Sequence, residues 1–157
     1  MEKQESRGVS KLSPHLVIDG AANAIEFYKK AFGAKELMRL AGQDGKMMHA
    51  CVSINDSSVM LVDENREWKA LGPKTLGGTP VTIHLMVDNV DRSFAQAVAA
   101  GAKVVMPVED AFWGDRYGIV EDPFGHQWSM ATTTKVMTED EIKAAAEKAM
   151  RGEATPA

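Results

Sequence analysis

Apolar and polar positions along the chain fall into one pattern, stated twice. The short apolar run His15-Leu16-Val17-Ile18-Asp19 predicts a strand, and it leads into apolar positions at helical spacing: Ala24, Ile25, Tyr28 and Phe32. That segment stops at Gly33-Ala34-Lys35. The run His84-Leu85-Met86-Val87-Asp88 leads in the same way through Phe94 and Val98 to Gly101-Ala102-Lys103. A glycine tolerates the left-handed conformation that ends a helix, so Gly33 and Gly101 are read as the two helix stops. The shared H-L-x-x-D and G-A-K at matching offsets mark an internal repeat, and a repeat decides architecture before any single element does.

Each copy continues in strands. Glu36 to Leu40 reads as one, Gln43-Asp44-Gly45 as a turn. Met47 to Ile54 alternates, with Ala50, Val52 and Ile54 on one face and His49, Cys51 and Ser53 on the other. Asn55-Asp56-Ser57 turns the chain into a returning strand, Ser58 to Asp63. In the second copy Lys103 to Val108 is a strand. Asp115 to Glu121 and His126 to Thr132 then form a hairpin around Asp122-Pro123-Phe124-Gly125. Either Asn89 or Asp91 caps the second long helix. The expected fold class is therefore α+β: two tandem βαβββ modules forming a cupped mixed sheet with helices outside.

The expected organisation is a disordered leader over 1–11, a first module over 12–64 and an inter-module loop over 65–78. A second module follows over 79–133, then a C-terminal helix and tail over 134–157. Glycines at 72, 77 and 78 and the proline at 73 make the connection a loop, which carries Trp68. Thr138 with Glu141 three residues on is a capping-box pattern, opening an Ala-rich helix through Met150. Its apolar stripe, Ile142, Ala145, Ala146 and Ala149, is thin, which suits docking on a partner subunit or fraying.

Composition narrows the class. In 157 residues there are 22 acidic and 18 basic side chains, a net charge of −4 that gives no general attraction to nucleic acid or to an anionic membrane. Cys51 is alone, so no intramolecular disulfide forms, as suits a reducing cytoplasm. The first ten residues hold no apolar signal core, and no run approaches the length of a membrane span. The expectation is a cytoplasmic protein that contacts neither nucleic acid nor membrane.

Two local motifs and the repeat carry a resemblance. Ala24-Ile25-Glu26-Phe27-Tyr28 with Ala31-Phe32-Gly33-Ala34 resembles the first helix of the vicinal oxygen chelate superfamily, which includes glyoxalase I, extradiol dioxygenases and the fosfomycin- and bleomycin-resistance proteins. Phe112-Trp113-Gly114-Asp115-Arg116 and Asp122-Pro123-Phe124-Gly125-His126-Gln127-Trp128 resemble the PhnB-like branch of that group. The likeness spans roughly residues 12 to 133. It implies the paired βαβββ fold and, since single-chain members usually pair, a homodimer. In metal-using members four strand residues, typically His and Glu, hold one ion. The alignment puts Ser13, Met60, Thr82 and Ser129 at those positions, and Met and Thr are poor ligands for the ions involved. The resemblance thus implies no cofactor, with a divalent metal as the disfavoured alternative.

The candidate ligand-binding residues are His15, His49, His84, Trp113 and Arg116. Alternation puts the three histidines on the face away from the helices. They either converge on a displaced metal site or hydrogen-bond within a polar pocket, and the second is preferred because no carboxylate lies in register. Arg116 would take an anionic group and Trp113 would stack a planar one, or Arg116 pairs with Asp115 or Glu121 as a structural ion pair. Phe112 and Trp68 are further wall candidates. His126 is read as pointing to the helix side with Trp128 and Met130, in a turn-capping or packing role. Cys51 reads as a buried small hydrophobe. Three functions follow: a metal-free binder of a small planar or anionic molecule, a lyase, isomerase or dioxygenase using displaced histidines, or a structural or regulatory dimer.

Overall fold

The computed structural model describes residues 8–152. Twelve elements follow one another along it. The first module is β1 (His15–Ile18), α1 (Ala21–Phe32), β2 (Lys35–Ala41), β3 (Met47–Ile54) and β4 (Ser57–Asp63). A short helix, α2 (Pro73–Leu76), lies in the connection. The second module is β5 (Thr82–Met86), α3 (Val90–Ala100), β6 (Lys103–Asp110), β7 (Asp115–Glu121) and β8 (Gln127–Thr133), followed by α4 (Glu139–Met150). The two sheets share one topology, β1-β4-β3-β2 and β5-β8-β7-β6. In each, the first strand lies parallel to the last and the remaining pairs are antiparallel.

Register divides each sheet into a helix face and an open face. In the first module the helix face carries Leu16, Ile18, Ala50, Val52, Val59 and Leu61, all buried. The open face carries the row His15–Met60–Cys51–Met38. In the second module the equivalent open-face row is His84–Ser129–Ile119–Met106, and Trp128, Met130 and Val120 lie on the helix face. Gly118 in β7 is needed for close approach: a Cβ there would stand 2.9 Å from the ring of Phe94 on α3.

The helix stops differ in detail. Gly33 is left-handed at φ 65°, ψ 30°, and its N–H donates to the Tyr28 carbonyl. Gly101 also has positive φ, 122°, but lies outside the left-handed helical well, which corrects the expectation of one geometry for both. Asn89, not Asp91, caps α3, its side chain accepting from the Arg92 N–H. The first helix is capped from a distance: the Asp63 carboxylate accepts from the N–H groups of Gly20 and Ala21 at 3.0 and 2.9 Å and from Met47 at 2.6 Å. The Thr138–Glu141 capping box is present, and α4 buries no side chain.

The modules meet through α1, α3 and one buried carboxylate. Asp122 is 3% exposed. It accepts from the Tyr28 phenol at 2.6 Å and the Trp128 indole at 3.0 Å, and from the N–H groups of Phe124 and His126 at 2.9 Å each. Around it Phe27, Tyr28 and Phe32 of α1 pack on Phe124 and Trp128, with Phe32 and Trp128 ring centres 4.6 Å apart. The seam is closed at both ends by paired contacts: His126 Nε2 donates to the Val17 carbonyl at 3.0 Å, and Asn55 Nδ2 to the Met86 carbonyl at 2.9 Å.

The expected leader begins in residues outside those described. From Gly8 the chain is in place, and Ser10 exchanges hydrogen bonds with Ser58, N–H to hydroxyl in both directions. The expected tail from residue 153 onward lies outside the described residues.

Candidate functional site

A cavity of about 700 Å3 opens between the modules, beside β1 and β5 and beneath the connection that carries α2. Its apolar wall comes from both modules and the connection: Leu16 and Val59, then Leu71 and Leu76, then Val81 and Ile83. Its polar groups are Ser13, Ser57, Ser58, Thr79, Thr82 and three imidazoles, His15, His84 and His126. No Lys, Arg, Asp or Glu lines it.

The cavity is shaped by the connection, where sequence showed only a loop. The Glu64 carboxylate accepts from the Gly72 N–H at 2.6 Å, and hydrogen bonds from Thr75 and then Gly72 hold it below the usual carboxylate range. Pro73 rests against Gly125 of the second module's hairpin turn, where an added Cβ would come within 2.8 Å. Four residues between glycines carry too little periodicity to announce a helix, so α2 is a product of these tertiary contacts.

The five expected ligand residues divide into groups. His15 and His84 both reach the cavity. His49 does not line it but stands edge-on to His15, ring centres 5.9 Å apart. Trp113 does not line it either. Its indole N–H donates to Asp115 at 3.0 Å, and its ring packs edge-on against Tyr117 at 5.5 Å. Tyr117 in turn stacks on His84 at 5.9 Å, giving an aromatic ladder, Trp113–Tyr117–His84, along the open face of the second sheet.

Arg116 is the correction. It shares the helix-face parity of Gly118 and Val120, and its guanidinium forks onto Asp91 of α3 at 2.8 and 3.0 Å, with Asp110 at 3.3 Å. These hydrogen bonds, Asp91 first, hold the guanidinium charged and lower the Asp91 carboxyl. Arg116 thus stands in an ion pair with partners other than Asp115 or Glu121, and it does not line the cavity. Tyr117 is the functional candidate that sequence reasoning passed over, although alternation from Val120 places it on the open face. His126 is corrected in part: its ring braces the seam, yet its side chain also lines the cavity.

Of the four positions that the resemblance assigns to a metal, two are engaged otherwise. The Ser13 hydroxyl hydrogen-bonds to the Ser58 hydroxyl, and Ser129 Oγ lies 2.7 Å from His84 Nδ1. His84 Nε2 lies 3.2 Å from the Met86 thioether, so both ring nitrogens stand within reach of a protein partner. Met60 and Thr82 complete the set, which offers three neutral oxygens and a thioether and no anionic ligand. Such donors do not fit the hard or borderline divalent ions of the family. Among the described residues no three His, Cys, Asp or Glu stand at metal-ligand spacing. Burial pushes the Cys51 thiol up, so it stays protonated.

The paired modules, their shared topology and the position of the open faces define a class, and comparison with known proteins agrees. The chain belongs to the glyoxalase/bleomycin resistance protein/dioxygenase superfamily, whose family pattern matches residues 13–130. It is 55% identical over 137 residues to an uncharacterized protein of Mycobacterium tuberculosis H37Rv, covering 85% of this chain and 81% of the relative. Protein YjdN of Escherichia coli K12 is 29% identical, with 74% of this chain and 91% of that protein covered. Among solved structures TioX from Micromonospora sp. ML1 superposes with a TM-score of 0.64 at 28% identity, covering 79% of this chain and 98% of TioX.

Proposed function

We propose that this protein binds a small, planar, largely apolar molecule in the cavity between its modules, without the divalent ion that other members of its superfamily use. The observation that carries the reading is the cavity wall: apolar side chains from both modules, with the His15, His84 and His126 imidazoles among its few polar groups. Pockets of this size and lining suit organic ligands, in which apolar area supplies affinity and a few polar groups set orientation. Engagement of Arg116 by Asp91 leaves the cavity with no fixed cation, so the reading favours a neutral or weakly acidic ligand over a strongly anionic one. The ligand orients through hydrogen bonds to His15 and the Thr82 hydroxyl, and the His84 ring, stacked on Tyr117, offers it a planar surface.

The reading includes a homodimer. Support comes from apolar side chains left uncovered on the edge strands β2 and β6, among them Leu37, Leu40, Val104 and Val105, and from α4, whose Met150 is 79% exposed. A self-complementary pairing would cover such edges.

A thermal-shift screen of planar heteroaromatic compounds in chelator-treated buffer tests the binding reading. Compounds that raise the melting temperature of the wild type should lose that effect in Ile83→Trp, which fills the cavity from β5. No stabilising compound, or stabilisation that survives Ile83→Trp, would overturn it.

A further inference from the structure

The open face of the first sheet gathers nitrogen and sulfur donors. His15 on β1 pairs in register with Met60 on β4, and Met60 with Cys51 on β3. His49 lies two residues before Cys51 and so shares that face. Because β4 runs between β1 and β3, the register sets Met60 between the strands that carry the two imidazoles.

The imidazoles are spaced like a pair that shares an ion. The His15 and His49 rings stand 5.9 Å apart, centre to centre, at 87°. Two rings bonded through nitrogen to one metal at about 2.0–2.1 Å would have centres roughly 5.5–6.5 Å apart. Among the described residues no hydrogen bond fixes either ring elsewhere, in contrast to His84 and His126.

We propose that His15, His49 and Met60 form a site for a soft monovalent cation, Cu(I) or its analogue Ag(I). The donor set selects the ion. Two neutral imidazoles and a thioether, with no carboxylate, suit Cu(I) and disfavour the hard cations for which the superfamily's own positions are also unsuited here. The third donor is the thioether of Met60, which the register sets opposite His15 and Cys51. Cys51 stays outside the site: it is buried, with its thiol directed to the Val52 carbonyl at 3.9 Å. The site is separate from the apolar cavity, although His15 stands at the edge of both.

The test is anaerobic titration of the purified protein with Cu(I) buffered by the chromophoric chelator bathocuproine disulfonate. The wild type should withdraw one equivalent, and the ε-methyl NMR signal of Met60 should shift as it does so. Met60→Leu and His49→Phe should each weaken binding by at least about tenfold, the order of loss when a metal site is disturbed. Cys51→Ser should leave it unchanged, and Zn(II) should not compete. Far-UV circular dichroism establishes that the variants fold, and the Met60 methyl signal reports on the unaltered protein. Failure to withdraw Cu(I), an unmoved Met60 methyl, or binding lost in Cys51→Ser but kept in Met60→Leu would each overturn the site.

Discussion

The phenol of Tyr28, on the helix of the first module, donates at 2.6 Å to the carboxylate of Asp122, in the hairpin turn of the second. Both residues are buried, so the bond ties the modules together where water cannot replace it. Tyr28→Phe removes one of four donors to that carboxylate and should cost about 1–3 kcal/mol. Asp122→Ala strands the Tyr28 and Trp128 donors together and should cost more. Urea unfolding of the three proteins checks the order.

The same pair sets a pH dependence. Burial first, then the Asp122 charge, raises the Tyr28 pKa well above its ordinary value of 10.0. A folded-state pKa raised above the unfolded one gives stability that is intact below the unfolded value and lost as pH rises through the folded one. Stability should therefore begin to fall as pH rises past about 10, where free tyrosine ionises, and go on falling toward the raised folded-state value. Tyr28→Phe should show a shallower loss over that range in chemical denaturation.

Two glycines with positive φ should answer differently to alanine. Gly33, at φ 65°, has open space where a Cβ would go, so Gly33→Ala should cost only the backbone penalty of about 1 kcal/mol. Gly114, at φ 94°, would place a Cβ 2.1 Å from the Lys135 carbonyl oxygen. Gly114→Ala must shift the backbone after β8 and should cost at least about 2 kcal/mol. Thermal denaturation of the two variants separates them.

The dimer is read from exposed apolar edges, so a charge placed there should undo it. Light scattering should give twice the monomer mass for the wild type, and Leu40→Glu on β2 should shift it toward monomer. A wild type that stays monomeric as it is concentrated would remove the dimer from the account.

What the sequence disclosed, and where it stopped, follows from the range of each signal. The repeat His15…Gly33 and His84…Gly101 disclosed the topology, because strand, helix and stop are local features. Alternation placed His15 and His84 on the open faces, since the two-residue period needs no tertiary knowledge. The same alternation separates Arg116 from Tyr117, whereas the pairing of Arg116 with Asp91, 25 residues earlier, is a tertiary contact that no local pattern records. The short helix α2 was illegible because Glu64 and Gly125, distant in sequence, hold it. Division of the histidines between the cavity and the His15–His49 pair depends on how far apart the strands stand, which no pattern along one strand records.

Central to the account is that the inter-module cavity takes an organic ligand. Methyl NMR of the protein titrated with N-phenyl-1-naphthylamine, a neutral and largely apolar probe, reads the location directly. Saturable shifts at the methyls of Leu16, Val59 and Ile83, unaffected by chelator, are the predicted result. Shifts confined to Leu37, Leu40 and Val104 on the sheet edges, or none that saturate, would contradict it.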